Sequence, residues 1–273
     1  MPYKQTHLLC ECDLAKAEAH VVAFLCQDEN MIEAFESGID VHSFNASKIF
    51  DVPIEEVIKE HHKGNPNGKT MRDMGKRVVH ASNYNMGAQT FSDNLATENT
   101  FMSQSECKIL LQNYQDRFPG LRRWHKEIEE EVRKTRVLYN LFNRPRRFLG
   151  MMNAALYRNA YSYKPQSTVA ELLNRGMIKM SNDRRLGPEM YNIDLLTTVH
   201  DSTVFQFPIE QAKNLLTILQ IIDDHMRHTF TLFGRSFTIG LDATIGFRWK
   251  GNNAEIGRFD QESVDKALAK IGV

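Results

Sequence analysis

The stretch Leu195–Phe207, LLTTVHDSTVFQF, constrains the fold of this chain more than any other. Two runs of β-branched and aromatic residues flank a short polar step, which reads as two strands joined by a tight turn with Asp201 at its tip. An acid so placed is held stiffly and still meets solvent. That suits a metal ligand, although Asp is common in turns anyway because it bonds its own backbone. The N-terminal run Leu8–Ala23, LLCECDLAKAEAHVVA, offers a second carboxylate of the same kind. A strand over His7–Cys12 delivers Asp13 and opens into a helix over Leu14–Cys26 that carries Glu18. Two carboxylates brought together across a sheet can hold a pair of divalent cations for in-line phosphoryl transfer.

Between the two acids lies RDMGKRVVHASNYNMG, Arg72–Gly87. Arg72, Lys76, His80 and Tyr84 recur every fourth residue, and on a helix they form one slowly drifting stripe. Two cations followed by an aromatic fit a nucleoside triphosphate lying along that stripe; a solvated basic face is the alternative. Upstream, Asp28–Phe50 reads as helical with a turn at Ser37-Gly38, and Pro53–Lys59 begins a short helix. The polar run Lys59–Thr70 reads as an exposed loop carrying His61 and His62. Downstream, Ser103–Glu106 is a capping box, Pro119-Gly120 stops its helix, and a second helix covers Leu121–Arg136.

Val137–Phe142 and Arg147–Leu149 suggest a hairpin. Arg144, Arg146 and Arg147 around its turn suit phosphate contacts on a duplex, or form a solvated basic turn. Arg158–Asn182 is a helix with Val169, Leu173, Met177 and Met180 on its core face. Ile209–Phe230 reads as one long amphipathic helix, and Phe237–Ile245 alternates as one strand.

With 273 residues the chain can bury a sizeable core, and 34 basic against 34 acidic residues exclude a generic polyanion binder. Any grip on nucleic acid must come from local patches or from another polypeptide. Cys10, Cys12, Cys26 and Cys107 have neither CxxC spacing nor a dense framework, which fits reduced thiols in a cytoplasm. Cys10-Glu11-Cys12 invites a zinc reading, but alternating residues on a strand more often simply pack. The sequence contains no signal peptide and no apolar run of membrane length.

In order and spacing, CDLAKAE around Asp13, the helix Arg72–Gly87 and VHDS at Val199–Ser202 resemble the three polymerase motifs of family A DNA polymerases, the DNA polymerase I type. The likeness extends through Asp28–Ser43, Pro165–Thr168 and Ile245–Trp249. It implies an α+β fold: an antiparallel palm sheet with packed helices (residues 1–28 and 150–273) and an inserted all-helical fingers subdomain (29–149). It implies template-directed DNA synthesis from dNTPs on primer-template DNA with two Mg²⁺ ions. Asp13 and Asp201, with the Leu14 carbonyl, would bind the metals. Arg72 and Lys76 would hold the triphosphate, with Lys76 or a neighbour able to protonate the leaving group.

By the same resemblance His80 meets the sugar, Tyr84 lies against the template base, and Glu18 lies under the sugar and disfavours a 2′-hydroxyl. Arg158 and Gln166 match positions near the primer-template minor groove, and His200 positions the primer end. His42 resembles a family histidine, with capping or packing as an equal alternative. The departures are Leu14 to Ala17 after the first acid, His80 for an aromatic, Asn85 for a glycine, and Ser202 for a glutamate. Only twelve residues precede Asp13, so the expectation is a split, phage-like polymerase in a bacterial cytoplasm, without thumb or exonuclease-like domain in this chain and with a separate N-terminal polypeptide supplying the thumb and the missing palm strands; a fragment or truncated gene is the alternative. The rivals are a non-catalytic nucleic-acid-binding subunit that keeps the fold and a two-metal nuclease, which would not require the Arg72–Tyr84 stripe.

Overall fold

The structure, a computed structural model, describes residues 6–64 and 69–273. Strand β1 (His7–Leu14) buries Leu8, Cys10, Cys12 and Leu14 on one face and carries Glu11 and Asp13 on the other, the period-two pattern of a half-buried strand. It runs further than the sequence suggests, so Asp13 lies within the strand and not beyond its exit. The reason is pairing: Asp13 and Leu14 both find partners across the sheet. Helix α1 (Ala17–Cys26) starts only after Lys16, which turns the chain with a φ of 52°.

Helices α2 (Glu29–Glu36) and α3 (Val41–Phe50) are capped by the side chains of Asp28 and Asp40. Helix α4 (Ile54–Lys63) continues through His61 and His62, correcting the loop expected from Lys59, because its helix formers meet no breaker before Gly64. Part of that expected loop, 65–68, lies outside the described residues. Helix α5 (Met71–Asn83), capped by Thr70, ends short of Gly87: Tyr84 is its C-cap and Asn85 turns left-handed with φ 53°.

Helix α6 (Ala88–Thr97) precedes α7 (Gln104–Arg117), where both halves of the Ser103–Glu106 capping box form. Pro119 then opens α8 (Pro119–Thr135), where its missing N–H costs nothing. Strands β2 (Val137–Tyr139) and β3 (Pro145–Arg147) make the expected hairpin, and α9 (Ala154–Asn182) follows. Strands β4 (Asp194–Val199) and β5 (Ser202–Pro208) flank the turn at His200-Asp201.

Ile209–Phe230 is not one helix. A 3-10 turn over Ile209–Asn214 leads into α10 (Leu215–Met226), and β6 (His228–Leu232) follows, where β-branched and aromatic residues favour a strand. Phe237–Ile245 is likewise two strands. Strand β7 (Arg235–Ile239) pairs with β6 in a separate hairpin, whereas β8 (Leu241–Gly246), beyond Gly240, pairs with β1. Strand β9 (Ala254–Ile256) and α11 (Gln261–Ile271) complete the chain.

The chain divides into two compact units, Met1–Ala17 with Thr168–Val273, and Glu18–Ser167. The first is built on a five-stranded sheet of order β4-β5-β1-β8-β9, antiparallel throughout. Helices α10 and α11 pack on β8, and Phe205, Phe207, Ile222 and Ile245 are buried in its core. The second is helical apart from the β2–β3 hairpin, with α5 and α7 packed on α3 around Ile49, Val78 and Tyr114. The fold is α+β. Among the described residues no helix is long and apolar enough to cross a membrane, and all four cysteines are free and buried.

Candidate active site

In the first unit, β1 lies between β5 and β8, with Asp13 in register with Ser202 on one side and Asp242 on the other. Directly opposed residues of antiparallel strands project on the same face. Asp13, Ser202 and Asp242 therefore share one face, with Glu11 one pleat back. Asp201 stands in the turn before Ser202, and its carbonyl accepts a hydrogen bond from Leu14 N at 3.1 Å, tying the turn to the end of β1. His200, exposed and left-handed at φ 56°, makes the turn tight enough to bring the two acids together.

Burial, then the negative charge of Asp201 and a hydrogen bond with it, then Asp242 and Glu11, push the Asp13 carboxyl from 3.8 up to about 7. Asp242 is also raised, chiefly by burial, with Lys16 opposing and Glu255 adding to the shift. Glu11 accepts from Ser202 Oγ at 2.7 Å and from Trp249 Nε1 at 3.1 Å. Asp242 and Glu11 were not singled out from the sequence. The alternation of Leu-Asp-Ala-Thr-Ile marks Asp242 as a polar-face residue, but only strand register puts it beside Asp13.

This donor set fits Mg²⁺. That ion takes one or two carboxylates and completes its shell with water and phosphate oxygens, and a divalent cation would relieve the repulsion of the two opposed carboxyls. Among the described residues no group of three or more His, Cys, Asp or Glu side chains could hold a metal ion by itself. Cys10 and Cys12 lie on the opposite, buried face of β1 and pack there.

In the second unit, α5 leaves Lys76 and His80 exposed, and the His80 ring meets Tyr84 edge-on with centroids 5.1 Å apart. The Tyr84 hydroxyl donates to Glu18 and also bonds Gln166. Burial first, then the charge of Glu18, hold the Tyr84 phenol far above its ordinary range. Three of the expected residues thus converge: Glu18, Tyr84 and Gln166. Arg72 has a different partner, gripping Asp40 through Nε–Oδ2 at 2.8 Å and Nη2–Oδ1 at 3.0 Å. Burial would raise Asp40, but hydrogen bonds from Arg72 and Ser43 outweigh it and hold the carboxyl well below its usual range. His42 is buried within α3.

Arg144 and Arg147 are exposed on the hairpin, whereas the Arg146 guanidinium lies over the rings of Phe148 and Tyr163, 5.0 and 5.6 Å from their centroids. Arg158 is exposed on α9.

A family model described as DNA polymerase family A matches residues 1–251. DNA polymerase I of Treponema pallidum (strain Nichols) is 28% identical over 250 residues, which is 89% of this chain and 23% of that protein. The thermostable DNA polymerase I of Thermus aquaticus is 31% identical over 213 residues, 76% of this chain and 23% of that protein. The chain therefore spans about a quarter of the length of these curated relatives. A solved structure, the POL domain of Pol1 from M. smegmatis in complex with DNA primer-template and dNTP, matches with TM-score 0.68 at 26% identity, covering 88% of this chain and 39% of that one. Matched over residues 1–251 of its 273 by the family model, the chain belongs to DNA polymerase family A.

Proposed function

We propose that the chain catalyses template-directed DNA synthesis, adding a dNTP to a primer 3′-hydroxyl with release of pyrophosphate. The observation that carries this reading is the pair Asp13 and Asp201, with the Asp201 turn tied to the end of β1 by the Leu14 N–Asp201 O bond and with burial and then the Asp201 charge raising the Asp13 carboxyl. Support also comes from relatives named DNA polymerase I and from a similar solved domain that holds primer-template and dNTP. In this reading residues 1–28 and 150–273 are the palm and 29–149 the fingers.

Asp13 and Asp201, with the Leu14 carbonyl, would hold two Mg²⁺ ions, which would supply a lowered pKa at the primer hydroxyl and neutralisation of charge on the phosphates. The chain's own groups do the rest. Lys76 grips the triphosphate and gives a proton to the leaving pyrophosphate. Arg72, oriented by Asp40, shares that grip. Glu18, fixed by the Tyr84 hydroxyl, excludes a 2′-hydroxyl while His80 borders the sugar and Tyr84 the template base. Arg158 and Gln166 check the minor groove, where acceptors are similar in every base pair, so a donor tests pairing geometry without choosing a sequence. His200 sets the primer end, and Arg144, Arg146 and Arg147 meet duplex phosphates.

Primer extension by Asp13→Asn and Asp201→Asn tests the assignment. Each should lose on the order of 10²-fold or more in rate, the scale of removing an electrostatic group from the transition state, with DNA binding retained. Full activity in either variant removes it.

The proposal extends to a partner: a separate N-terminal polymerase polypeptide that supplies the thumb and remaining palm strands, in the cytoplasm of a bacterial host. Strand β4 supports it. It is an outer strand of the sheet, exposed from Asp194 to Thr198, with Leu195 and Leu196 among the exposed residues, and uncovered strand edges with apolar side chains invite a partner. Activity that appears only when the product of the adjacent reading frame is added would bear this out. A monomer that extends primers unaided at a normal rate would overturn it.

A further inference from the structure

Glu11 makes contacts that none of these roles uses. It stands one pleat before Asp13 on β1, and its two carboxylate oxygens accept from two different segments of the first unit. Oε1 takes the Ser202 hydroxyl at 2.7 Å and Oε2 takes the Trp249 indole N–H at 3.1 Å. Ser202 is next to Asp201 and 3% exposed, and its hydroxyl also points to Val199 O at 3.1 Å, across the turn. A hydroxyl has one proton to give, and the shorter bond to a charged acceptor is the stronger of the two. Trp249 belongs to the segment that follows β8, the strand of Asp242.

The mechanical problem at this face is plain. Asp13 and Asp201 repel each other, and Asp201 sits on a two-residue turn that could tilt away from β1. One backbone bond, Leu14 N to Asp201 O, resists that movement at the main chain. The Ser202–Glu11 bond resists it at the neighbouring side chain, and the indole fixes the rotamer of Glu11 from the far side. A neutral residue at position 11 would spare the face one more negative charge but would not anchor both donors.

We propose that Glu11 is a positioning residue of the polymerisation reaction: through Ser202 it holds the Asp201 turn in register with Asp13, braced by Trp249. This rests on the reading of Asp13 and Asp201 as the ion-holding pair. It predicts an effect on kcat and on the Mg²⁺ requirement, with little effect on nucleotide affinity, since both Glu11 oxygens are taken by Ser202 and Trp249 and none of the proposed nucleotide contacts runs through Glu11.

The test compares the wild-type chain, under conditions in which it extends primers, with Glu11→Ala, the isosteric Glu11→Gln, Ser202→Ala, and the exchange variant Glu11→Ser/Ser202→Glu. Readouts are kcat, KM for dNTP, the Mg²⁺ concentration for half activity, and iodide quenching of Trp249 fluorescence. Glu11→Ala should lower kcat by roughly 10–100-fold, the worth of hydrogen bonds to a charged group. KM should stay within about twofold, since uniform binding is untouched. Trp249 should become easier to quench, and the Mg²⁺ requirement should rise. Glu11→Gln and Ser202→Ala should fall between Glu11→Ala and wild type.

The exchange variant keeps a carboxylate and a hydroxyl facing each other across the same strand pair, so it should recover most of the lost kcat. A general packing defect would not be repaired that way. Wild-type kcat in Glu11→Ala, or an exchange variant no better than Glu11→Ala, overturns the inference. If Asp201→Asn is inactive while Glu11→Ala is normal, the inference alone fails; if Asp201→Asn retains full activity, the ion-holding reading fails and takes the inference with it.

Discussion

The close approach of the Asp13 and Asp201 carboxyls stores repulsion that a cation would relieve, and this links function to stability at single side chains. Asp13→Asn should raise the melting temperature of the metal-free protein even as it removes primer extension, because one of the opposed charges is gone. Added Mg²⁺ should raise the melting temperature of the wild type more than that of the variant, since an ion that binds the folded state stabilises it. Equal responses in a thermal scan would argue against ion binding at these acids. Glu18 offers a second test at this scale. Its carboxylate is held by the Tyr84 hydroxyl, so Glu18→Ala should relax exclusion of ribonucleotides by roughly tenfold or more, the range in which small steric differences discriminate substrates. Competition between a dNTP and the matching NTP on one template measures it.

At the level of elements, α3 and α5 meet where no side chain intervenes. A Cβ built on Gly75 would come within 2.8 Å of Ala46 Cβ and 3.0 Å of its Cα. In an exposed helix, replacing glycine by alanine gains up to about 1 kcal/mol. Here the sign should reverse, with Gly75→Ala costing roughly 1–3 kcal/mol as an overpacked contact that must spread two backbones; urea unfolding reads it directly. The same two helices are joined by Asp40, which caps α3 and grips Arg72 of α5. Its carboxyl lies below the ordinary 3.8 in the folded state. The stability it supplies is therefore full above that ordinary value and is lost as pH falls below it. Asp40→Asn should lower stability at neutral pH and flatten the acid limb of the stability profile, measured by denaturant unfolding from pH 7 down to about 3, below the ordinary range of carboxylates.

For the whole molecule the relevant quantity is net charge, and 34 basic residues against 34 acidic ones leave none. The DNA binding proposed for this chain must then depend on where cations are concentrated. Removing Arg144 and Arg147 together should weaken binding to all duplex sequences alike and reduce the slope of log K against log salt by about 2, near one per lost phosphate contact. Arg146→Ala should act differently. Its guanidinium covers Phe148 and Tyr163, so its loss should also destabilise the hairpin by roughly 0.5–1 kcal/mol, the worth of an exposed cation–π contact. Fluorescence anisotropy titrations across salt concentrations separate the two effects.

By itself the sequence determined the local parts. Alternation in LLCECDL and the run of β-branched and aromatic residues in TVFQF mark strands, Ser103 and Glu106 mark a helix start, and the Arg72–Tyr84 spacing marks a helix face, because these are interactions between near neighbours. It also carried family membership, through short motifs in a set order. Ends and pairings were less legible. Met71–Asn83 stops early because Asn85 turns left-handed, and Ile209–Phe230 and Phe237–Ile245 each split because their residues pair in different sheets. Only the tertiary structure decided that Asp242 and Glu11 stand beside Asp13, that Trp249 reaches Glu11, and that Arg72 is held by Asp40. Each of these depends on strand register or helix packing between residues far apart in the chain, and in a strand a shift of one residue would turn every side chain to the opposite face.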